Sequence, residues 1–434
     1  EFHSHFRPQC IAFGRLDELF DLLLNSTELV NLQDATGSSL LHSAVDKGST
    51  ELVNLLLSRG AVLYIPTSSP TDVNLANHAG NRPIHLAFKG CRKSVIELLL
   101  SHGADYTCKN TDGVQPIHLA AEMNFVDGLK ICLLQRADLL AKDLTGQIPL
   151  HFACARGDLD CVQLLTEFRP RLKPRMIREP NNDGRTPMHV AAMHNSTEVI
   201  DYLVSQGAEL NPVDQKRLTP LLLACSKGAI KSCTHLMGLG ADLTACDEFG
   251  RNMLIMLLLS GAGKARELVP ALTKSGKFPL LLNQPDKWGC TYMHVAARLG
   301  LRVAIKHGLT NQGSLLIRDS ERSTPLHSAA RFGRLNICAQ MLEVDEGKRA
   351  QFLVDQLGRF PVHLAAQYGH NRVLELFQSK GCIQRRCRQG NTTLHYAAMS
   401  GNPATCALIL GINPSLLNET NHNGVSLATL LFLC

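Results

Sequence analysis

A short pattern of apolar, small and polar residues returns along the whole chain. It reads Pro-Ile-His-Leu-Ala at residues 83–87 and recurs unchanged at 116–120 and with small changes at 149–153. Pro suits the first position of a helix, where its missing N–H needs no partner, and the small alanines let two helices approach closely. A second apolar run with helical spacing follows, as at residues 51–57, and ends near Gly60. The pattern therefore predicts pairs of short helices joined by a turn.

The histidine of this pattern, which we call the anchor, sets the period. His85, His118 and His151 are each 33 residues apart, a spacing that resembles the ankyrin repeat. Since neither helix can bury its apolar face alone, we predict an all-α ankyrin-repeat solenoid of stacked helix–turn–helix repeats with hairpin-like loops. The eleven recognisable anchor positions are His42, His85, His118, His151, His189, Leu222, Ile255, His294, His327, His363 and His395.

Differences between repeats suggest divisions along the solenoid. The predicted regions are a degenerate first repeat at 1–33, regular repeats at 34–246, a degenerate and extended repeat at 247–285, regular repeats at 286–420 and a truncated repeat at 421–434. The region 247–285 is either a hinge or an insertion with no regulatory role. Apolar residues 427–433 would leave a bare end where solenoids normally carry polar caps, so we expect a piece of a longer protein.

Composition agrees with a folded protein in a reducing compartment. The net charge of +6 is small for 434 residues and gives no reason to expect nucleic-acid binding. The fifteen cysteines are scattered, many of them in apolar helical stretches, and no CxxC pair occurs, so we expect reduced thiols and no structural zinc. No apolar run approaches the roughly 20 residues of a membrane-spanning helix, and the N-terminus has no apolar signal core.

The remaining motifs offer no catalytic chemistry. Nine of the eighteen histidines are anchors, whose rings we expect to hydrogen-bond local backbone and the helix-capping residue. The others form no HExxH spacing, and no glycine-rich phosphate loop of the GxxxxGK[ST] type occurs. Turns such as residues 355–358 lack the ligand pattern of a calcium loop. We predict that the chain is not an enzyme and has no catalytic residue, cofactor or metal site.

Two basic clusters are candidate binding patches. The first comprises Arg169, Arg171, Lys173, Arg175 and Arg178, and the second comprises Lys380, Arg385, Arg386 and Arg388. Clustered arginine can hold phosphates or acidic protein segments through paired hydrogen bonds. One interpretation is therefore a site for a phosphoinositide, a polyphosphate or a partner protein, and the other is an ordinary solvated loop.

Cys382 and Cys387 lie beside the second cluster. Positive charge near a thiol lowers its pKa and raises its reactivity. These two residues are therefore candidate reactive thiols, and buried, inert cysteines are the alternative.

Three segments narrow the resemblance. Residues 247–252, 323–338 and 391–401 resemble, in this order, the cytosolic ankyrin array of ankyrin-subfamily transient receptor potential channels. The resemblance implies an arm on the cytosolic side of the plasma membrane, within a multi-pass, homotetrameric, calcium-permeable and non-selective cation channel that senses noxious chemical or thermal stimuli. The implied partners are other parts of the channel and neighbouring subunits, with no nucleic acid. The family's membrane helices and electrophile-reactive linker have no counterpart in these residues, so no activation site is transferred.

A soluble cytosolic scaffold, which would clamp partner proteins on a concave face, explains the repeats equally well. The coding sequence after Cys434 separates the two hypotheses. Six hydrophobic segments would indicate a channel, whereas a stop codon or a signalling domain would indicate a scaffold.

Overall fold

Helices are the main regular structure of the described residues. The structure is a computed structural model that describes residues 33–62, 72–261, 272–378 and 381–426, together with Asn31 and Leu268. Within this part of the chain, the other regular elements are a 3₁₀ helix at Pro414–Asn418 and one β-bridge between Gln33 and Ser39. The predicted all-α fold is confirmed.

The chain divides into two compact units, Glu1–Gln215 (unit 1) and Lys216–Cys434 (unit 2). The described helices of unit 1 are α1 (Leu40–Lys47), α2 (Thr50–Val62), α3 (Pro83–Lys89), α4 (Lys93–Ser101), α5 (Pro116–Glu122), α6 (Val126–Leu134), α7 (Pro149–Arg156), α8 (Leu159–Phe168), α9 (Lys173–Met176), α10 (Pro187–Met193) and α11 (Thr197–Ser205). Those of unit 2 are α12 (Pro220–Lys227), α13 (Ile230–Gly238), α14 (Met253–Ser260), α15 (Phe278–Asn283), α16 (Tyr292–Leu299), α17 (Arg302–Thr310), α18 (Pro325–Arg331), α19 (Leu335–Leu342), α20 (Asp345–Ala350), α21 (Pro361–Gln367), α22 (Asn371–Gln378), α23 (Thr393–Met399) and α24 (Pro403–Ile412).

The predicted regions map onto this framework unevenly. The degenerate first repeat, apart from Asn31 and Gln33, and the apolar segment 427–434 lie outside the described residues. So do 262–267 and 269–271 of the predicted hinge, whose other residues belong to unit 2. The domain boundaries and the hinge remain predictions.

Anchor histidines cap the start of nine of the described first helices and join consecutive repeats within a unit. His327 Nδ1 accepts the backbone N–H of Thr324 at 3.1 Å, and its Nε2 lies 3.1 Å from the carbonyl oxygen of Arg359 in the next repeat. Because Nδ1 accepts a hydrogen bond, the proton sits on Nε2, which donates to that carbonyl. His151 in unit 1 makes the two equivalent hydrogen bonds, with the Ile148 N–H at 3.2 Å and the Arg185 carbonyl at 3.0 Å. The predicted structural role of the anchor is confirmed.

The two anchors without histidine are stabilised in different ways. In the repeat of Leu222, the hydroxyl of Thr219 accepts the Leu222 N–H at 3.3 Å and caps the helix. In the repeat of Ile255, Asn252 Oδ1 accepts the Ile255 N–H at 3.1 Å, while its Nδ2 donates to the carbonyl of Leu281 at 2.8 Å. Asn252 is fully buried. Asn252 alone therefore caps the helix and donates a hydrogen bond to a later backbone carbonyl, the two roles that a histidine has in other repeats.

Hairpin-like loops separate the repeats, and most of them begin with an Asp- or Asn-type turn. Asp286 Oδ1 accepts the N–H groups of Trp288 and Cys290, at 2.9 and 2.8 Å. Gly289 has φ of 75°, and a Cβ there would lie 2.8 Å from Asp319 Cα. This glycine therefore serves both the turn and the close packing of adjacent loops. The loops are also joined directly, for example by a 2.8 Å bond from the Ser320 N–H to the Trp288 carbonyl.

The core lies between the two helices of each repeat and between neighbouring repeats. Within each unit, the first helix of one repeat packs on the first helix of the next repeat. Second helices also pack on each other, as α19 and α22 do. Ala296 and Ala297, at the close approach, are fully buried, and so are the larger Phe88 and Phe377. Burial of one such aromatic side chain stabilises the fold by roughly 1.5–3 kcal/mol. Each repeat therefore depends on its neighbours for stability.

Candidate interaction surface

The first basic cluster lies around α9 in unit 1 and is partly engaged within the chain. Lys173 Nζ donates to Gln206 Oε1 at 2.8 Å. Arg175 and Lys142 both contact the carboxylate of Glu179, at 3.4 and 2.8 Å. The hydrogen bond from Lys142, helped by Arg175, lowers the pKa of Glu179. Two of the five basic residues therefore already have partners.

The other three members of this cluster form the free part of the patch. Arg171 and Arg178 are exposed, and Arg169 is half-buried at the end of α8. No hydrogen bond or ion pair joins their side chains to another described residue. They remain candidates for an anionic ligand.

The second basic cluster, in unit 2, is engaged to a greater extent. The Arg385 guanidinium lies over the ring of Phe352, 4.2 Å from its centroid. Arg386 forms an ion pair with Glu419 at 3.1 Å. Arg388 is exposed on a loop, and Lys380 lies outside the described residues. Two of the predicted ligand-binding arginines thus contact the protein itself.

The two candidate reactive thiols are both buried. Cys382 Sγ lies 3.3 Å from Gln351 Oε1, and burial raises the pKa of Cys382 more than Arg385 lowers it. Cys387 Sγ accepts the N–H of Gln389 at 3.3 Å, in a loop position that Asp or Asn holds in other repeats. Burial favours the inert alternative, and preferential reactivity stays a prediction.

A further surface is formed by residues that lie far apart in sequence. We define a turn segment as the fourth to the tenth residue after an anchor, which covers the end of the first helix, the turn and the start of the second helix. The turn segments of one unit form its turn edge. In unit 2 the Arg334 Nε donates to the Arg298 carbonyl at 3.1 Å, and the His370 Nε2 lies 2.9 Å from the Arg331 carbonyl. These bonds hold consecutive turn segments side by side.

The turn edge of unit 2 is basic. Its six turn segments contain no Asp or Glu. Their basic residues are Lys227, Lys231, Lys264, Arg298, Arg302, Arg331, Arg334 and Arg372. Lys264 lies outside the described residues, and the side chains of the other seven are exposed. Like charges gathered without carboxylates attract an anionic partner.

Apolar side chains are interspersed among these cations. The exposed ones on the turn edge of unit 2 are Leu259, Leu299, Val303, Phe332, Tyr368 and Met399. The Arg331 guanidinium lies 5.5 Å from the centre of the Tyr368 ring, and one of its nitrogens is 3.7 Å from the Glu321 carboxylate. The Tyr368 ring stacks on His370 at 6.5 Å between ring centres. Aromatic and arginine side chains of this kind are enriched where proteins bind each other.

Part of this edge is concave. A cavity of about 550 Å³ is lined by residues of three consecutive turn segments, among them Gly300, Gly333, Arg334, His370 and Arg372. Both glycines have positive φ, and a Cβ on Gly333 would lie 2.5 Å from His370 Nδ1. The glycines therefore let the basic side chains of the next repeat lie across each turn.

The turn edge of unit 1 has a mixed charge. Its carboxylates are Asp46, Glu51, Glu122, Asp127, Asp158, Asp160 and Glu198, and its basic residues are Lys47, Lys89, Arg92, Lys93 and Arg156. The exposed large apolar side chains described in unit 1, such as Leu134 and Leu144, lie outside its turn segments. Sequence reasoning missed this contrast because it considered residues adjacent in the chain. Aligning the repeats on their anchors reveals it.

Metal clusters and membrane-spanning helices are two other features of the described residues that bear on function. No group of three or more His, Cys, Asp or Glu side chains there is arranged to hold a metal ion. None of the described helices is both long and apolar enough to cross a membrane.

Comparison with known proteins identifies the repeat. A family model described as ankyrin repeats, in three copies, matches residues 9–110, 62–143, 117–214, 175–247 and 338–418. The chain is 28% identical to human transient receptor potential cation channel subfamily A member 1, over 94% of the chain and 42% of that protein. It is 30% identical to the Drosophila melanogaster protein of the same name, over 61% of the chain and 25% of that protein.

A Caenorhabditis elegans homolog is 26% identical over 51% of the chain and 18% of its own length. The chain thus spans less than half the length of each of these curated relatives. The chain belongs to the ankyrin-repeat family, and its predicted resemblance to subfamily A transient receptor potential channels is confirmed.

Proposed function

We propose that this chain is the cytosolic ankyrin-repeat region of a tetrameric, calcium-permeable, non-selective cation channel that senses noxious chemical or thermal stimuli. The observation that carries the proposal is similarity across 94% of the chain to a protein named as a cation channel. In this role the array makes contacts within and between subunits on the cytosolic side of the plasma membrane, and it couples these contacts to the pore.

The way the repeats are joined suits mechanical coupling. Within each unit, an anchor histidine links its own helix to the next repeat through a hydrogen bond, such as that from His294 to the Ser323 carbonyl at 3.0 Å. A displacement at one repeat therefore changes a contact in the next, since each repeat is stabilised by its neighbours. An array of this kind transmits a contact made on its surface along each unit.

A chimeric channel tests this proposal. Residues 1–434 would replace the matching region of the Drosophila relative, and whole-cell currents and native oligomer size would be recorded in transfected cells. We expect a tetramer that reaches the plasma membrane and conducts calcium. A matched chimera carrying an ankyrin array from a soluble adaptor controls for the mere presence of repeats. If both chimeras conduct equally, or if neither forms tetramers, the channel assignment fails.

The rival function is a soluble cytosolic scaffold, and the turn edge of unit 2 is the observation that favours it. Sequencing the transcript beyond the codon for Cys434 separates the two. Six hydrophobic segments support the channel, and a stop codon or a signalling domain supports the scaffold.

We further propose that Arg169, Arg171 and Arg178 bind a phosphoinositide or a polyphosphate. The exposure of Arg171 and Arg178, and the lack of side-chain partners of all three arginines within the described chain, support the proposal. Replacing all three with Gln should abolish binding of inositol hexakisphosphate in calorimetry, whereas Arg385→Gln with Arg386→Gln should leave it unchanged. Unaltered binding by the first variant would remove the patch from consideration.

A further inference from the structure

We propose that the turn edge of unit 2 binds an acidic polypeptide segment that carries apolar side chains among its carboxylates. The inference rests on this surface alone and holds for a channel arm and for a scaffold alike. It goes beyond the proposed function because it states the chemistry of the partner.

The charge of the edge selects an anionic partner. Arg298, Arg302, Arg331, Arg334 and Arg372 all lie on turn segments that contain no carboxylate. Arg302 and Arg372 form no ion pair with any residue in the described ranges, and Arg331 has only the 3.7 Å contact with Glu321. Such a cluster repels itself, so a partner that supplies carboxylates gains both attraction and relief of that repulsion.

The arginine side chains of the edge favour a partner whose negative charge comes from carboxylates. A guanidinium presents parallel N–H donors that match the two oxygens of a carboxylate. The Arg334 Nε is occupied by the Arg298 carbonyl, which fixes the side chain across the turn. Its terminal nitrogens have no partner among the described residues and remain available to a ligand. Fixed donors lose little conformational entropy on binding.

The exposed apolar side chains of the edge indicate that the partner has apolar side chains as well as negative charge. Leu299, Phe332 and Tyr368 are exposed at the fifth residue after the anchor in successive repeats, and Met399 is exposed at the fourth residue after its anchor. Each of the first three has an arginine within four residues in its own turn segment, and Met399 lies one repeat after Arg372, so apolar and cationic side chains are interspersed along the edge. A segment with carboxylates and apolar side chains in alternation can satisfy both at once.

The concave shape favours a polypeptide over a membrane surface. Arg334, His370 and Arg372 line the cavity of about 550 Å³ that sinks between consecutive turns. A side chain of a peptide can enter this cavity, whereas the broad surface of a bilayer contacts the rim. Recognition through a few side chains in pockets is typical of protein–peptide binding.

The experiment uses the full 434-residue chain and a fluorescein-labelled 18-residue peptide in which Glu alternates with Leu and Phe. Fluorescence anisotropy would be measured at 150 mM NaCl. Two comparison peptides replace either every Glu with Lys or every Leu and Phe with Ser. We expect binding of the first peptide only, weakened by at least about tenfold in a variant with Arg331→Gln, Arg334→Gln and Arg372→Gln.

The matched control lies on the turn edge of unit 1. A variant with Lys47→Gln, Lys93→Gln and Arg156→Gln removes the same number of charges, and we expect less than about a twofold change in affinity. Equal weakening by both variants would show attraction by net charge and overturn the proposal. Equal binding of the Ser-containing peptide would also overturn it, because the apolar side chains would then be irrelevant.

Two further measurements complete the test. Vesicles of phosphatidylserine and phosphatidylcholine would be sedimented with the chain, and binding of vesicles but not of peptide would assign the edge to a membrane.

A photo-crosslinking residue, p-benzoylphenylalanine, at position 368 or 123 tests whether the bound peptide lies close to that position, without removing a charge. Tyr368 and Met123 are both the fifth residue after an anchor. We expect a peptide adduct from position 368 only, and an adduct from position 123 alone would overturn the proposal.

Discussion

The interiors of units 1 and 2 are built in the same way, and the two units differ along their turn edges. In both, buried anchor histidines cap a first helix and donate to the next repeat, as His151 and His327 do. The turn edge of unit 1 mixes carboxylates with basic residues, whereas that of unit 2 has basic and exposed apolar side chains without a carboxylate. The interior is constrained because a buried polar group must keep its partners. The edge is free of that constraint, so it can take on a specific binding chemistry.

The largest expected effect is a loss of folding stability at low pH, and it tests the buried anchor histidines that both units contain. Burial lowers the pKa of His151, His294, His327 and His363 to about 4. Since an unfolded histidine titrates near 6.5, the unfolded chain takes up protons first as the pH falls. Stability is therefore complete above about pH 6.5 and is lost toward pH 4, by about 3 kcal/mol for each of these histidines.

Urea unfolding followed by circular dichroism at pH 7, 6, 5 and 4.5 measures this loss. Hydrogen exchange at pH 7 and pH 5, corrected for intrinsic rates, assigns it to each unit. We expect reduced protection in both units, because both contain buried anchors. Constant urea midpoints from pH 7 to pH 5 would contradict the shared histidine interior.

The second prediction compares the usual anchor with its asparagine substitute inside unit 2. His327→Ala removes both the Thr324 and the Arg359 hydrogen bonds and leaves buried groups unpaired, so we expect a loss of about 3 kcal/mol. Asn252→Ala removes the cap of Ile255 and the bond to Leu281, with an expected loss of about 2 kcal/mol. Urea unfolding measures both.

Two substitutions sharpen this result. Asn252→Ser keeps an oxygen that can cap the helix, but the shorter side chain cannot reach the next repeat. The free energy of unfolding should therefore fall by less than it does in Asn252→Ala. His102→Ala, at an exposed histidine, should change the free energy of unfolding by less than about 0.5 kcal/mol. A cost of Asn252→Ser equal to that of Asn252→Ala would assign the effect to the link between repeats rather than to the cap.

The third prediction concerns the cysteines of the two units. Cys91 is exposed on the turn edge of unit 1, whereas Cys382 and Cys387 of unit 2 are buried. Burial raises the pKa of both Cys91 and Cys382, so access rather than charge should decide their relative rates. With limiting maleimide, we expect Cys91 to react at least about tenfold faster. Site-resolved mass spectrometry provides the measurement, and faster labelling of Cys382 or Cys387 would support the reactive-thiol hypothesis instead.

The smallest expected effect is the change in folding stability when one carboxylate is introduced into the basic turn edge of unit 2. Gln367 accepts a hydrogen bond from an Arg359 terminal nitrogen at 3.0 Å. Gln367→Glu should strengthen this bond and reduce repulsion, for a gain of about 0.5 kcal/mol. Glu122 occupies the same position after its anchor in unit 1, where Glu122→Gln should change stability by less than about 0.3 kcal/mol. Thermal unfolding at low and high salt tests both, and a gain that persists at 1 M NaCl would contradict an electrostatic origin.

Much of the interior could be predicted from the sequence because its rules are local. The 33-residue return of the anchor locates the first helices, and the buried ring needs partners on the adjacent backbone. The substitute role of Asn252 could not be predicted, since its bond to the Leu281 carbonyl spans 29 residues. Only the packed repeat brings these two groups together.

The candidate surfaces were predicted less completely. Arg385 and Arg386 look like a ligand site in the sequence, yet one stacks on Phe352 and the other pairs with Glu419. Both contacts join residues more than 30 positions apart. Adjacent charges in a sequence therefore do not reveal whether their side chains are already engaged.

Sequence alone established the repeat, the helix pairs and the role of the anchor histidine, because helix periodicity and the need to satisfy buried polar groups operate within one repeat. The tertiary structure decided which basic side chains are free and which residues share a surface. Stacking places residues about one repeat apart side by side, as with Arg298, Arg334 and Arg372, and only this packing turns isolated positions into one basic, apolar edge.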